Sequence, residues 1–222
     1  MSIPTLIRNF AARATEGTTP DATKVLSRQT GHMRLKPDGK WLPFNATQIS
    51  RTDRTDFRWE AKVKMAPFVN ATVVDALKNK QGMLDVKMFG LIRVVSGRGE
   101  TIDQGEAQRY LAELAWNPTA MLHNHELTYQ ELSDKLIRVW YQDPQIYVDL
   151  SFDDQGDIVG MRTETRRRDT KTPPEPWIGA MADYKKFDGV RIPSRGSVRW
   201  ETVDGPFEYW RGEIQEFHLM DS

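Results

Sequence analysis

The segment Phe57–Met65 reads FRWEAKVKM, and every second residue in it is apolar. The residues between the apolar ones are all charged: Arg58, Glu60, Lys62 and Lys64. Successive side chains of a β-strand point to opposite faces of the sheet, so this period of two predicts a strand with one apolar face and one charged face. One side of the sheet to which this strand belongs therefore meets water.

The sequence before this strand predicts a hairpin. Residues 24–36 have the mixed alternation of a strand, and the turn signature Pro-Asp-Gly at residues 37–39 separates them from a second strand over residues 41–50. Weaker strand candidates follow the FRWEAKVKM segment. Residues 24–99 are therefore predicted to form a first antiparallel meander of strands.

Two helices are predicted, one before and one after this meander along the chain. The first, within residues 1–16, has apolar residues at helical spacing and arginines on its other face. The second covers residues 103–117, where Asp103 and Glu106 have the spacing of a capping arrangement. Its apolar residues fall at i, i+3, i+4 and i+7, and they are Ala107, Tyr110, Leu111 and Leu114.

A second meander is predicted over residues 136–220, and residues 128–134 before it are interpreted as a short turn or helix. The whole chain, residues 1–222, is predicted to form a single domain. Roughly ten antiparallel strands curl through their accumulated twist. The predicted fold class is therefore mainly β (α+β), a strongly curved antiparallel sheet with the two helices packed on its concave side.

The composition argues against several classes of function. Lys and Arg together number 31, as do Asp and Glu, and this zero net charge disfavours nucleic acid as a partner. The absence of cysteine removes disulfides, thiolate catalysis, iron–sulfur clusters and sulfur-ligated zinc. No apolar run of about 18 residues and no signal-peptide stretch is present, which predicts a soluble, cytoplasmic chain without an integral membrane segment.

Six short motifs are distinctive: GHMR at 31–34, WLPFNATQ at 41–48, FRW at 57–59, RYLAE at 109–113, WNP at 116–118 and YW at 209–210. Their combination resembles an uncharacterised bacterial family defined only as a domain of unknown function. The pieces FNATQ, FRW and DGVRIP are in turn similar to segments of the LolA superfamily of lipoprotein carriers. This second resemblance implies an open half-barrel with helices over its opening. Neither resemblance implies a catalytic residue.

The candidate ligand-binding residues lie on the second helix and among the aromatic residues. Arg109 and Glu113 are four residues apart, so a guanidinium and a carboxylate meet on one helix face. If that face lines the concavity, Arg109 is expected to hold an anionic head group, and the alternative is an ordinary helix ion pair. The chain has seven tryptophans, which either line a ligand cavity or fill the core. The residues expected to supply apolar contact are Trp59, Tyr110, Trp116 and Trp210.

Other motifs carry less chemistry. His123 and His125 have a spacing that would place two imidazoles on one face of a strand, but a metal site needs a third ligand, so no metal is expected. The basic run Arg166–Arg168 is interpreted as the solvated end of a strand, with contact to phosphate or an anionic membrane surface as the alternative. Residues 97–99, Gly-Arg-Gly, lack the context of a dinucleotide-binding loop, so no cofactor is expected.

These observations favour non-catalytic binding or carriage of a hydrophobic or amphipathic molecule, such as a lipid or fatty acid, in the sheet concavity. The first alternative is an enzyme that acts on a small organic substrate in the same pocket, with Glu113 or a histidine as general acid or base. The second alternative is a structural or protein-interaction module without a ligand, whose protein partner the sequence does not identify.

Overall fold

The computed structural model describes residues 2–16, 21–90 and 92–221, so both ends of the predicted domain lie outside the described residues. In chain order, strands β1 to β13 span Lys24–Met33, Leu42–Arg51, Phe57–Ala66, Val69–Lys78, Gln81–Met88, Ile92–Gly97, Leu127–Ser133, Leu136–Tyr141, Asp143–Phe152, Ile158–Thr163, Trp177–Phe187, Val190–Thr202 and Gly205–Met220. Helices α1, α2 and α3 span Thr5–Ala14, Glu100–Ala112 and Ala120–His123. A 3-10 turn at Leu114–Trp116 joins α2 to α3.

The strands formed by these residues make one antiparallel sheet, ordered β6-β5-β4-β3-β2-β1-β13-β12-β11-β10-β9-β8-β7. The first half of the sheet, β1 to β6, therefore runs outward to one edge. The second half, β7 to β13, starts at the opposite edge and returns until β13 pairs with β1 in the centre. The hairpin predicted around residues 37–39 is confirmed, because β1 and β2 pair along their full lengths.

Strand β3 has the alternation that its sequence predicts. Phe57, Trp59, Ala61 and Val63 are buried, and the four charged residues between and after them are exposed. The apolar face of β3 belongs to one large core, to which α1 also contributes. Phe10 of α1 packs edge to face against Phe152 of β9 and Tyr184 of β11, with ring centroids 6.2 and 6.4 Å apart.

Helix α2 lies inside the curve of the sheet. It contacts β4 and β5 in the first half and β8, β9 and β10 in the second half. Strands β5 and β9 are nine positions apart in the sheet, which would separate them by about 43 Å in a flat sheet. A helix of 13 residues is only about 20 Å long. The sheet must therefore bend around α2, and the predicted curved sheet with helices on its concave side is confirmed.

Several details differ from the sequence prediction. Residues 127–133 form the edge strand β7 rather than a turn or helix. Helix α2 begins at Glu100 and follows Gly99, so no side chain caps it, and Asp103 instead accepts a hydrogen bond from the backbone N–H of Gly82 at 2.6 Å. The polar residues Glu106 and Gln108 are buried together with the apolar ones. The four apolar residues of the expected stripe, Ala107, Tyr110, Leu111 and Leu114, are buried, but they are not set apart from the polar ones because both halves of the sheet enclose this part of the chain.

Three glycines form one register row across the centre of the sheet: Gly31 on β1, Gly212 on β13 and Gly196 on β12. A Cβ atom on Gly31 would lie 2.3 Å from the backbone oxygen of Arg211 and 2.6 Å from the ring of Phe44. At Gly212 and Gly196, a Cβ atom would meet the indole rings of Trp210 and Trp116 at 2.6 and 3.0 Å. The row lets neighbouring backbones and aromatic rings approach closely on the concave face. None of the helices among the described residues is long and apolar enough to cross a membrane.

We expect Gly31→Ala to destabilise the protein by roughly 2 to 3 kcal/mol, because the added methyl group overlaps backbone atoms that cannot move independently. The matched control is Gly160→Ala on β10, where the nearest atom to a new Cβ, the Gly179 oxygen, is 3.4 Å away. This control should stay within about 1 kcal/mol of the wild type. Urea unfolding measures both changes, and equal stability losses in the two variants would contradict the close packing at Gly31.

Candidate functional site

A partly enclosed cavity of about 100 Å³ lies between α2 and the concave face of the sheet. Four tryptophans line it, and they are Trp59, Trp116, Trp177 and Trp210. Three methionines and Tyr209 complete most of the apolar wall. Four charged residues also line the cavity, and they are Asp75, Arg109, Glu113 and Arg166. The cavity thus combines an aromatic wall with a set of opposite charges.

The indole rings are held in place by hydrogen bonds and by one another. The Nε1 groups of Trp59, Trp116 and Trp177 donate to Gln29 Oε1, the Pro193 carbonyl and Tyr209 Oη at 3.0, 2.8 and 3.0 Å. Trp210 lies 6.3 Å from Trp116, measured between ring centroids. Rings fixed in this way keep a defined position and shape. The cavity is the space that the tryptophans leave after they fill most of the interior.

Arg109 is held by several neighbouring groups. Its Nη1 donates to Asp75 Oδ2 at 2.5 Å, and its Nε donates to Glu113 Oε1 at 2.9 Å. The guanidinium also lies over the rings of Phe57 and Trp59, with its Cζ 5.2 and 4.8 Å from the ring centroids. Burial alone would lower the pKa of Arg109, but the charges of Glu113 and Asp75 outweigh this effect and raise it. The helix ion pair expected from the sequence is therefore part of a larger buried network.

Arg166 reaches the same network from the segment that follows β10. Its Nη1 donates to the backbone carbonyl of Gly105, and its Cζ lies 4.2 Å from the centroid of the Trp177 ring. Arg167 and Arg168 are exposed. The interpretation of the basic run as solvated is therefore wrong for Arg166, because the curved sheet brings the end of β10 next to α2.

Glu106 lies deepest in this group, with only 6 % of its surface exposed. Its Oε2 has no hydrogen-bond partner among the described residues. Burial, followed by the negative charge of Asp75, raises the pKa of Glu106 to about 8, although Arg109 and Arg166 act in the opposite direction. Burial likewise raises the pKa of Asp75. At neutral pH the Glu106 carboxyl therefore carries a proton.

Tyr110 does not line the cavity, unlike the other five residues expected at the site. Its hydroxyl donates to the backbone carbonyl of Arg51 at 2.9 Å and accepts from Asn124 Nδ2 at 3.2 Å. Burial raises the pKa of this hydroxyl. Tyr110 therefore ties α2 to the end of β2 on another side of the helix.

The histidine pair lies away from the cavity. His123 ends α3 and His125 follows in the connection to β7, so the two do not share a strand face, and both are exposed. Glu126 accepts a hydrogen bond from the backbone N–H of Thr55 at 2.7 Å. Within residues 2–16, 21–90 and 92–221, no three His, Asp or Glu residues cluster in a way that could hold a metal ion.

Asp75 and Glu106 were not predicted as site residues, but the sequence contains a signal for each of them. Asp75 occupies the same alternating positions of β4 as Ala71 and Leu77, which are buried, so a carboxylate stands on an inward face. Glu106 precedes Arg109 by three residues and therefore lies on the same helix face. No local pattern identifies Arg166, since its position depends on the curvature of the whole sheet.

Three solved structures share this architecture at low sequence identity. The LolA superfamily protein NE2245 from Nitrosomonas europaea is 11% identical, with a TM-score of 0.53 over 97% of this chain and 94% of that chain. A domain from Vibrio parahaemolyticus, named as a candidate outer membrane lipoprotein-sorting protein domain, is 8% identical, with a TM-score of 0.55 over 96% of this chain and 90% of that chain. A DUF1329 family protein from Desulfovibrio piger is 11% identical, with a TM-score of 0.53 over 99% of this chain and 94% of that chain. These matches confirm the LolA-like open half-barrel, and at such identities they concern the fold alone.

The sequence itself matches one family. The profile of the family of unknown function DUF6544 matches residues 1–212. No curated protein matches the chain. The expected resemblance to an uncharacterised family is therefore confirmed.

We expect Glu106→Gln to flatten the pH dependence of stability. The Glu106 carboxyl has a pKa of about 8 in the folded protein and near 4.5 when unfolded. Between these values the folded wild type binds more protons than the unfolded chain, so its stability falls as the pH rises through this window. Glutamine cannot ionise, and the stability of the variant should exceed that of the wild type at the top of this window by about 4 kcal/mol.

Urea unfolding at a series of pH values across this window measures the effect. The control is Glu60→Gln, because Glu60 lies on the exposed face of β3 next to Trp59. This control should keep the wild-type slope. A Glu106→Gln variant with the same slope as the wild type would show that Glu106 does not hold the proton.

Proposed function

The chain belongs to the DUF6544 family, whose function is unknown, and we propose that it binds or carries a hydrophobic or amphipathic molecule of the lipid or fatty-acid type without turnover. The observation that supports this proposal is the cavity inside the half-barrel, with four tryptophans and three methionines around it and a charged network at its border. Rigid aromatic rings provide contact area, and methionine adapts to irregular shapes. Such a cavity suits an apolar body with one polar end.

The size of the cavity limits how such a molecule binds. Its volume of about 100 Å³ is below the roughly 300 to 1,000 Å³ of most small-molecule pockets. In this proposal the cavity takes the polar end and the first carbons of the ligand. The remainder of a longer chain extends from the side that is not enclosed. The polar end meets Arg109, Asp75 and Glu113, while Trp59, Trp116 and Trp210 contact the carbons.

The structural neighbours support a lipid-like ligand class. The half-barrel is shared with a LolA superfamily protein and with a domain named for lipoprotein sorting. A common fold does not carry a function by itself. The support comes from the agreement between these names and the aromatic wall of the cavity in this chain.

The enzyme alternative has fewer residues to use. His123 and His125 are exposed, and the described residues that line the cavity include no histidine. Glu113 lines the cavity, but its two oxygens accept hydrogen bonds from Arg109 and from Gln48 at 2.9 and 2.5 Å. Both oxygens of Glu113 are therefore already bonded, so neither is free to take a proton from a substrate. Binding without chemistry is therefore the better-supported function.

A change that fills the cavity should abolish binding. Val198 lines the cavity, and we expect Val198→Phe to lower the affinity for 1-octanol by about tenfold or more. Val203 is 98% exposed, so the matched variant Val203→Phe should bind like the wild type. Isothermal titration calorimetry measures the affinities, and thermal melting shows that each variant is folded.

Native mass spectrometry of freshly purified protein provides a second measurement. The wild type and Val203→Phe should retain a small molecule that Val198→Phe lacks. Equal binding by all three proteins would place the ligand elsewhere. A wild type that neither retains a molecule nor binds 1-octanol would contradict the proposed function.

A further inference from the structure

We propose that the polar end of the bound molecule is a cation, such as an ammonium group, rather than an acid. This inference rests on the proposed function and specifies the chemistry of the ligand. It replaces the expectation from the sequence that Arg109 holds a carboxylate or another anionic head group. The argument depends on which charges near the cavity are already paired and which polar atoms are not.

Both guanidinium groups near the cavity already have partners. Arg109 is bonded to Asp75 and Glu113 and lies over two aromatic rings. Arg166 is bonded to the carbonyl of Gly105 and lies over Trp177. An acidic ligand would have to compete with the two carboxylates that hold Arg109. In a buried network such a displacement leaves a carboxylate without its partner, which is unfavourable.

Most of the fully buried polar atoms near the cavity that lack a partner are acceptors. Asp75 Oδ1, Glu106 Oε2 and Gln48 Oε1 have no hydrogen-bond partner among the described residues, and of these three residues Asp75 lines the cavity. Arg166 Nε is a buried donor that also lacks a partner there. Two carboxylates, those of Asp75 and Glu113, balance the two guanidinium groups as long as Glu106 keeps its proton. An ammonium group can take the place of that proton, because it supplies donors and a positive charge when Glu106 ionises.

The aromatic wall also favours a cation. Trp59 and Trp177 each already have a guanidinium over the ring, at 4.8 and 4.2 Å. Trp116 and Trp210 line the same cavity, and among the described residues no arginine lies over either ring, although Trp210 stacks on Phe44 with ring centroids 5.8 Å apart. The face of an indole attracts cations more strongly than other aromatic faces. An ammonium group in the cavity between these indoles and Asp75 would contact both.

The position of Glu106 adds a measurable consequence. The charged groups that interact with it are Asp75 on β4, Arg109 on α2, Glu113 directly after α2, and Arg166 after β10. A cation placed beside this set favours the charged form of the carboxyl, so the Glu106 proton should leave when the cation binds. A neutral ligand of the same length should release no proton.

Three probes with one chain length separate the possible head groups: octylammonium, 1-octanol and octanoate. Calorimetry on the wild-type chain at neutral pH should give octylammonium an affinity about tenfold higher than that of 1-octanol, with octanoate weakest. Titration in two buffers with different heats of ionisation should show proton release with octylammonium alone.

Two variants test whether this preference comes from the network. Glu106→Gln should abolish proton release and lower the octylammonium affinity several-fold, and it should weaken 1-octanol binding less than octylammonium binding. Asp75→Asn is the second variant, and it should also weaken octylammonium more than 1-octanol. Glu60→Gln is the control, because Glu60 is exposed on the opposite face of the sheet, and it should behave like the wild type.

The outcomes distinguish this inference from the proposed function. Octanoate binding as tightly as octylammonium would overturn the inference and leave ligand binding in place. Octylammonium preference that persists in both Glu106→Gln and Asp75→Asn would also overturn it, since the network would then play no part. Failure of all three probes to bind would overturn the proposed function as well.

Discussion

The connection from β6 to β7 constrains the rest of the molecule. These strands lie at opposite edges of the sheet although they are consecutive along the chain. The segment between them must therefore cross the whole concave face. Because this segment forms α2, which touches strands of both halves, the sheet bends until each half reaches the helix. The central glycines permit this bend by allowing backbones and rings to approach closely.

The same crossing explains why charged residues are buried at the site. From Gly105 onward, helix α2 is largely enclosed by both halves of the sheet, so Arg109 and Glu113 find partners inside the protein and Glu106 is buried beside them. Asp75 comes from the first half of the sheet and Arg166 from the segment after β10 in the second half. Charges in such a setting are weakly screened and depend on one another. The network therefore links the two halves through the helix.

The sequence predicts most of the fold because most strands have one face in water. Phe57–Met65 alternates strictly for this reason, and the turns between the strands are marked by glycine and proline. Prediction fails where an element is enclosed. Helix α2 shows no clean stripe, and Asp103 bonds to a neighbouring strand rather than capping its own helix. The helical spacing of Arg109 and Glu113 predicts that they lie together at the site. No local sequence pattern predicts that Arg166, which is distant along the chain, lies near them.

A charged residue in a sequence does not determine the charge of its ligand. Considered alone, Arg109 predicts an acid, but the electrostatic potential of a site is the sum over all its charges. In the folded protein Arg109 is already neutralised by two carboxylates, and what remains unpaired nearby is mostly acceptor oxygens. The half-barrel is shared with proteins of 8 to 11% identity, so the curved sheet belongs to the fold. In our proposal, the chemistry of the ligand depends on the polar groups that this chain places at the border of the cavity.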